Sequence, residues 1–446
     1  MNEFRIDDVF FSIVAVGWLA SAFLLFFSYI RYRIFTFFDA GIAMSWFFVF
    51  FRPLNIFNCD INIDLYFWDE SLYVRGAFIS IAMTLVCQLS SLLVSRKSLK
   101  PDFCFDQHLF RKRIEGASLT IFLYCIVVVF LMFLMFGYQV FPSNRGEGAL
   151  SVSMPGLEIF YHTLRALTLV LIIFSAVSLF VFKSTKSFIF AVFSIATLLI
   201  FAKRNSIINP LIYLFFIYSY YYVYFLGGSI LRLFVVMLPL ILFLVFIALF
   251  GKAFKSEEGF NFERPSDGYA CYVVRQGMQE FDLFWPAVLE VGGDKINFFD
   301  LPFAVWGALT HDHSSRIKSE YLSVTDKTML KFNYDNYAYK KFGITPSFLQ
   351  FYYYYFWLWG AFVAAVLAFL ARKLEFWLVR SFYQGWFGSF LCALAISKFV
   401  LSSFDFTIKY SAFEFVVFLV IYIGIASYFF LSNRFPQRKN SEGACV

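Results

Sequence analysis

The stretch FAKRNSIINP, residues 201–210, sets Lys203, Arg204 and Asn205 between two long apolar runs. A guanidinium in that position can grip a lipid-linked phosphate with two parallel hydrogen bonds, and a low local dielectric strengthens the grip. Lys203 adds a point charge beside it, and Lys203 and Asn205 flank Arg204 as candidate substrate contacts. A plainer reading fits the same residues: charges at the end of a membrane span that snorkel to the interface or fix topology.

Further candidates gather downstream. Arg264 and Arg275 lie in GKAFKSEEGFNFERPSDGYACYVVRQGMQEFD, where a helix starting near Ser266 would place Asp267 in its first turn, favourable to the helix dipole. These arginines either ride on a solvated loop helix or point together into a membrane-facing cavity. ALTHDHSSRIKSEY carries His311 and His313 with Asp312 and Arg316. Histidine titrates near working pH, so His311 is a candidate base on a sugar hydroxyl. Two histidines without a further His or Cys cluster are too few for a zinc site, and a plain exposed loop fits them equally. His162 and Arg165 stand one turn apart inside an apolar run, and Arg75 lies near the start of another. Ionisable side chains at such positions face a cavity or snorkel at a helix end. Lys398 and Asp405 are close enough in sequence to pair with each other.

The elements that must position these residues are membrane spans. The 446-residue chain is 61% hydrophobic and only 15% charged, with a mean hydropathy of +0.71. A soluble chain has about 45–50% apolar and about 25% charged residues, so this one cannot cover a globule with polar surface. The expected fold is an all-α polytopic integral membrane protein. A span needs about 20 apolar residues. Eleven runs approach or reach that length: 9–30, 34–51, 71–94, 118–136, 159–182, 187–202, 207–226, 231–250, 347–371, 382–400 and 413–431. The first follows an acidic MNEFRIDD and has no small-residue cleavage site, so it reads as a retained span rather than a signal peptide. The net charge of +7 comes with no basic run interleaved with stacking aromatics, which argues against nucleic acid.

Basic residues orient the spans. Arg31 and Arg33, the 95–116 connection with Arg96, Lys97, Lys100, Arg111, Lys112 and Arg113, the pair Lys183 and Lys186, RKLEFWLVR at 372–380 and the tail 433–446 all fall on one side of an alternating chain. The acidic 52–70 connection falls on the other. By the positive-inside rule the N-terminus is outside and the C-terminus inside. Lys203 and Arg204 then lie outside, as does the one long polar segment, 251–346, with 11 Lys and Arg against 13 Asp and Glu. Spans one to eight occupy 1–250 and spans nine to eleven occupy 347–432. Within the long segment, FFDLPFAVWGAL at 298–309 is too short to span and should lie on or dip into the membrane surface. The tyrosines and tryptophans of YYYYFWLWG mark a span end, where aromatic belts form. Seven cysteines show no paired spacing; Cys87, Cys125 and Cys392 read as core residues. No phosphate-binding glycine loop, dinucleotide fingerprint, G-x-S-x-G or H-E-x-x-H is present, which disfavours an ATP-driven pump or a zinc hydrolase.

In this layout the chain resembles the Wzy-type O-antigen polymerases and related oligosaccharide repeat-unit polymerases. The resemblance is carried by the arginine-bearing external turn AKRNSIINP, the long arginine-containing segment 251–346, and the entry FGITPSFLQFYYYYFWLWGA into the following span. It implies a GT-C-like glycosyltransferase at the outer face of a bacterial inner membrane, with the long loop periplasmic. The growing glycan on undecaprenyl pyrophosphate would pass to a newly delivered lipid-linked unit. Arginines, rather than a metal or a cofactor, would meet the charge on the departing pyrophosphate. Arg204, Arg264, Arg275 and His311 are then the catalytic candidates, and Lys203, Asn205, His162, Arg165, Asp267 and Arg316 the substrate contacts. Membrane lipids, a chain-length regulator and a flippase are the implied partners. Two relatives in function compete: an O-antigen ligase, which differs in its acceptor, and a lipid-linked repeat-unit flippase, which would bury several charges along a central cavity.

Overall fold

The structure, a computed structural model, describes residues 8–51, 54, 70–101, 106–136, 157–201, 205–228, 285, 288–293, 295–302 and 348–384. Among them there is no strand. The helices are α1 (Asp8–Tyr32), α2 (Phe37–Trp46, running on into a π-helical turn Phe47–Phe51), α3 (Glu70–Leu92), α4 (Gln107–Phe136), α5 (Leu157–Phe182), α6 (Lys186–Phe201), α7 (Asn205–Tyr224), α8 (Phe348–Phe356) and α9 (Trp359–Gln384). Three of them are long and apolar enough to cross a membrane: Asp8–Tyr32, Ser71–Leu92 and Gln107–Met135. The protein is a helical, membrane-embedded one.

α1 shows why such a helix is stable in lipid. Its buried residues, Phe10, Val14, Gly17, Ser21, Ser28 and Tyr32, recur at helical spacing. Its exposed ones, among them Val16, Leu19, Phe23 and Phe26, are larger and more apolar. Lipid does not reward burial of apolar side chains, so small and hydroxyl-bearing residues turn inward where helices touch. Asp8 suits the N-terminal dipole and Arg31 the C-terminal one.

Two compact units divide the chain. In the first, α1, α3 and the α8–α9 pair run in the same direction. Arg75 near the start of α3 meets Tyr353 of α8, Ser90 donates to the Ala365 carbonyl, and Tyr32 at the end of α1 meets the last carbonyls of α3. Close packing at the Arg75 end depends on Gly76, where a Cβ would stand 2.6 Å from the Cβ of the buried Trp285. The Trp285 ring packs edge-on against Tyr353. Asn297 reaches from its loop to the carbonyls of Gly292 and Tyr354, and the Tyr354 hydroxyl donates to Asp300 at 2.9 Å.

In the second unit α4 and α5 run antiparallel, with Phe110 near the start of α4 against Phe182 at the end of α5 and Cys125 beside Thr168. Phe122 of α4 packs on Phe190 and Phe193 of α6. At the Phe110 end, rings of Phe382 and Tyr383 from the last turns of α9 join Tyr220, Tyr221 and Phe225. Tyr383 donates to the Ile217 carbonyl at 2.7 Å, and Tyr220 to that of Leu99 at 2.8 Å.

Five expected spans, 9–30, 71–94, 159–182, 187–202 and 207–226, coincide with helices to within two residues at each end. Four differences have physical causes. The run 347–371 is two helices: Trp357 ends α8 in the left-handed region (φ 50), and a Cβ at Gly360 would stand 2.4 Å from the Tyr352 carbonyl oxygen. The residues 372–380, read as a connection, continue α9, because Arg372, Glu375, Phe376, Val379 and Phe382 form a buried stripe and no Gly or Pro interrupts them. α4 starts at Gln107, well before 118, because Asp106 accepts from the Leu109 amide as an N-cap and Arg111 pairs with Glu115 one turn on. Tyr353, Tyr354 and Tyr355 are not a lipid-facing belt; they are core, whereas Leu358 and Trp359 face outward. Cys87 and Cys125 are buried and free, as expected of core residues. The expected spans 231–250 and 413–431, the part of 382–400 beyond Gln384, most of the segment 251–346 and Cys392 lie outside the described residues.

Candidate functional site

Of the residues singled out from sequence, Asn205 is the first residue of α7, and His162 and Arg165 lie one turn apart on α5. Lys203, Arg204, Arg264, Asp267, Arg275, His311, Asp312, His313, Arg316, Lys398 and Asp405 lie outside the described residues. Arg75 is exposed near the start of α3, with Nη2 donating to the Tyr353 hydroxyl at 3.4 Å.

A different polar constellation stands out, at the Tyr32 end of the first unit. It begins with a local signal. Thr36 precedes α2, and Asp39 is its third residue. The Asp39 amide donates to Thr36 Oγ1 at 3.2 Å while the Thr36 amide donates to Asp39 Oδ2 at 3.1 Å. This reciprocal capping box satisfies two backbone donors at the helix start and fixes the direction of the Asp39 carboxylate.

Arg372 of α9 takes up that carboxylate. Its Nη2 donates to Asp39 Oδ1 at 2.6 Å and its Nη1 to Oδ2 at 2.9 Å, a two-pronged ion pair between residues 333 positions apart. Nη1 also donates to the Thr36 hydroxyl and Nη2 to the Ser28 hydroxyl at 3.0 Å. Ser28 in turn donates to Asp39 Oδ1 at 3.0 Å. The Thr36 hydroxyl donates to Asp39 and accepts from both the Asp39 amide and Arg372, which uses its one donor and two acceptor sites. The guanidinium carbon lies 5.2 Å from the Tyr32 ring centroid and 5.0 Å from that of Phe38, cation–π contacts suited to its flat, weakly hydrated face. Tyr32 then donates to the Val94 carbonyl at 2.8 Å, with the carbonyls of Ser91 and Leu92 at 3.3 Å, at the end of α3.

Every member is shielded: Arg372 is 1% exposed, Asp39 and Ser28 2%, and Tyr32 0%. One turn on from Arg372, Glu375 is also 2% exposed. The Phe38 amide and the Thr36 hydroxyl lie beside its carboxyl, yet neither carboxyl oxygen has a hydrogen bond of good geometry. Two carboxyls thus face one guanidinium in a dry setting. Glu375 lies beyond the apolar run that ends at Ala371, and burial pushes its carboxyl up to about 8; Arg372 pulls the other way, and Asp39 adds to the rise.

The sequence reading passed over this cluster. It ran an apolar span through 34–51 and placed Arg372 and Glu375 in a connection. Two signals were available: TFFD at 36–39 has the spacing of a capping box, and an aspartate inside an apolar run calls for a cationic partner.

Comparison with family models, with curated proteins and with solved structures finds no match to this chain. The class that fold and site define is a helical membrane protein whose first unit is joined at one end by a buried ionic cluster.

Proposed function

We propose that the chain polymerises undecaprenyl-pyrophosphate-linked oligosaccharide repeat units at the periplasmic face of a bacterial inner membrane, passing the growing glycan to the incoming unit. It does so as a multi-pass, GT-C-like glycosyltransferase of about eleven spans. The observation that carries the reading is the placement of charge: basic connections on one side and the long polar segment 251–346, with its arginines, on the other. The helix directions support that alternation. Within the first unit α1, α3 and α8–α9 run the same way, as the first, third and ninth spans must. Within the second, α5 packs antiparallel to α4, and Phe122 brings the cytoplasmic parts of α4 and α6 together, as spans four to six require.

Chemically, pyrophosphate is a capable leaving group whose developing charge needs fixed donors. Arg204 would grip it from the external turn, with Lys203 and Asn205 beside it. Arg264 and Arg275 would share the charge, and His311 would take the proton of the attacking sugar hydroxyl. His162, Arg165, Asp267 and Arg316 would hold the sugars and the second lipid pyrophosphate. Each role is a proposal from residue type and position.

A second reading, a flippase for lipid-linked units, is favoured by one specific observation: Asp39, Arg372 and Glu375 are buried together in the first unit. The two readings part in a deletion strain. On a lipopolysaccharide banding gel, loss of a polymerase leaves a single repeat unit on core, and loss of a flippase leaves none, because no unit is exported. A ligase deletion also leaves none but accumulates exported units. Complementation with Arg204→Lys and Arg204→Ala then tests the grip. A snorkelling charge tolerates lysine, whereas loss of a charge-stabilising donor typically costs on the order of 100-fold in rate. Wild-type chain lengths from Arg204→Ala at normal protein levels would remove Arg204 from the mechanism.

A further inference from the structure

We propose that Glu375 is a buried proton-binding site, neutral while α1, α2, α3 and α9 are closed around the Arg372–Asp39 pair and ionised only when they part. This goes beyond either reading of the function and does not depend on it.

The case rests on geometry and charge count. Among the described residues, Arg372 is the cation that faces both carboxyls, and both of its terminal nitrogens are committed to Asp39. The groups beside the Glu375 carboxyl itself are neutral, Thr36 and the Phe38 amide from the start of α2; Ser91 from α3 meets Arg372, and a second cation, Arg31 of α1, lies over the far partner Tyr32. With Asp39 paired, an ionised Glu375 would set a second carboxylate against the one guanidinium in a setting 2% exposed, with only the Phe38 amide and the Thr36 hydroxyl beside it and no hydrogen bond of good geometry. A buried charge of that kind is far costlier than the neutral acid, so the proton stays. Ionisation would make the two carboxylates compete for Arg372 and loosen the ion pair that joins residues 39 and 372. Proton release and opening of this end of the unit are therefore one event.

The direction of the pH effect follows. An unfolded chain ionises this glutamate near its ordinary ~4.3, whereas the folded site holds the proton to about 8. Between those values the folded protein carries the extra proton. The stability tied to that proton is complete below the lower value, falls as pH rises through the interval, and is exhausted above the upper one.

The experiment compares the full-length wild type with Glu375→Gln, which copies the neutral acid in shape and cannot ionise. Both are purified in lipid nanodiscs and melted from pH 5 to pH 9, followed by tryptophan fluorescence. The melting temperature of Glu375→Gln should gain on that of wild type as pH rises, with the gain levelling off above about pH 8. Infrared spectra at pH 7 should contain the carbonyl stretch of a protonated acid in wild type and lack it in Glu375→Gln. A difference in melting temperature that is flat with pH, or an acid band unchanged by the substitution, would overturn the proposal. So would failure of Glu375→Gln to accumulate in the membrane, since a neutral isostere should fit a site built for the neutral acid.

Discussion

The two units solve the same problem with different chemistry. Each gathers chain segments far apart in sequence at one end of its helices. The first does it with charge: Ser28, Asp39 and Ser91 converge on Arg372. The second does it with rings: Phe110, Phe174, Phe382 and Tyr383 pack together with Tyr220 and Tyr221, and the hydrogen bonds there run from tyrosine hydroxyls to carbonyls. The difference is one of tolerance. A charge cluster removed from water is satisfied as a whole or costly as a whole, because each member is the reason the next can be buried. Ring packing is a sum of small terms, so one altered member removes one share.

The sharpest way to break that contrast is at Arg372. Truncation to alanine leaves the Asp39 carboxylate buried without its partner, a loss of about 3–5 kcal/mol. Arg372→Ala should therefore accumulate poorly in membranes and melt well below wild type. Combining it with Asp39→Leu removes both charges and should recover part of the loss, since replacing a buried pair by apolar residues is often neutral or better. Equal loss in the single and double variants would mean that the pair is not what holds this end together.

How much of this was legible from sequence differs between the two regions in the same way. Apolar length found α1, α3, α5, α6 and α7, because a span in lipid is defined by composition alone. The same rule misled where a helix is held by its partners: α9 passes straight through RKLEFWLVR, and two of the charges that read as a connection, Arg372 and Glu375, are buried on one face. Trp357 and Gly360 mark the break between α8 and α9, but an apolar count does not weigh a left-handed residue. The capping box at Thr36 and Asp39 was within reach as a four-residue pattern. Its partner was not, since nothing local connects Asp39 with an arginine 333 residues away. Of the candidates read from sequence, Asn205, His162 and Arg165 lie on helices, and Arg204 and the loop arginines lie outside the described residues.

The comparison sharpens further when one chemical change is made in both regions. Tyr32→Phe and Tyr383→Phe each delete a single hydroxyl and keep the ring. Tyr32 donates to the Val94 carbonyl at 2.8 Å just past the end of α3, with the carbonyls of Ser91 and Leu92 at 3.3 Å, and it is fully buried. Its loss takes that donor from a carbonyl shielded from water, which costs about 1–3 kcal/mol. Purified Tyr32→Phe should melt clearly below wild type, and a midpoint unchanged from wild type would show that these carbonyls find other donors.

Tyr383→Phe should do least. The hydroxyl donates at 2.7 Å to the Ile217 carbonyl, which lies inside α7 and has an amide one turn on to serve its other lone pair. Deleting the hydroxyl therefore orphans nothing. The ring keeps its places at 5.7 Å from Tyr220, 6.0 Å from Tyr221 and 5.5 Å from Phe110. What is removed is one hydrogen bond of the kind that averages about 0.6 kcal/mol in membrane helices. In the same melting assay the Tyr383→Phe midpoint should fall by less than that of Tyr32→Phe, with membrane levels unchanged. A larger fall for Tyr383→Phe would reverse the ranking of the two regions: the ring cluster would then hang on its hydroxyls, and the aromatic end of the second unit would be as all-or-none as the ionic end of the first.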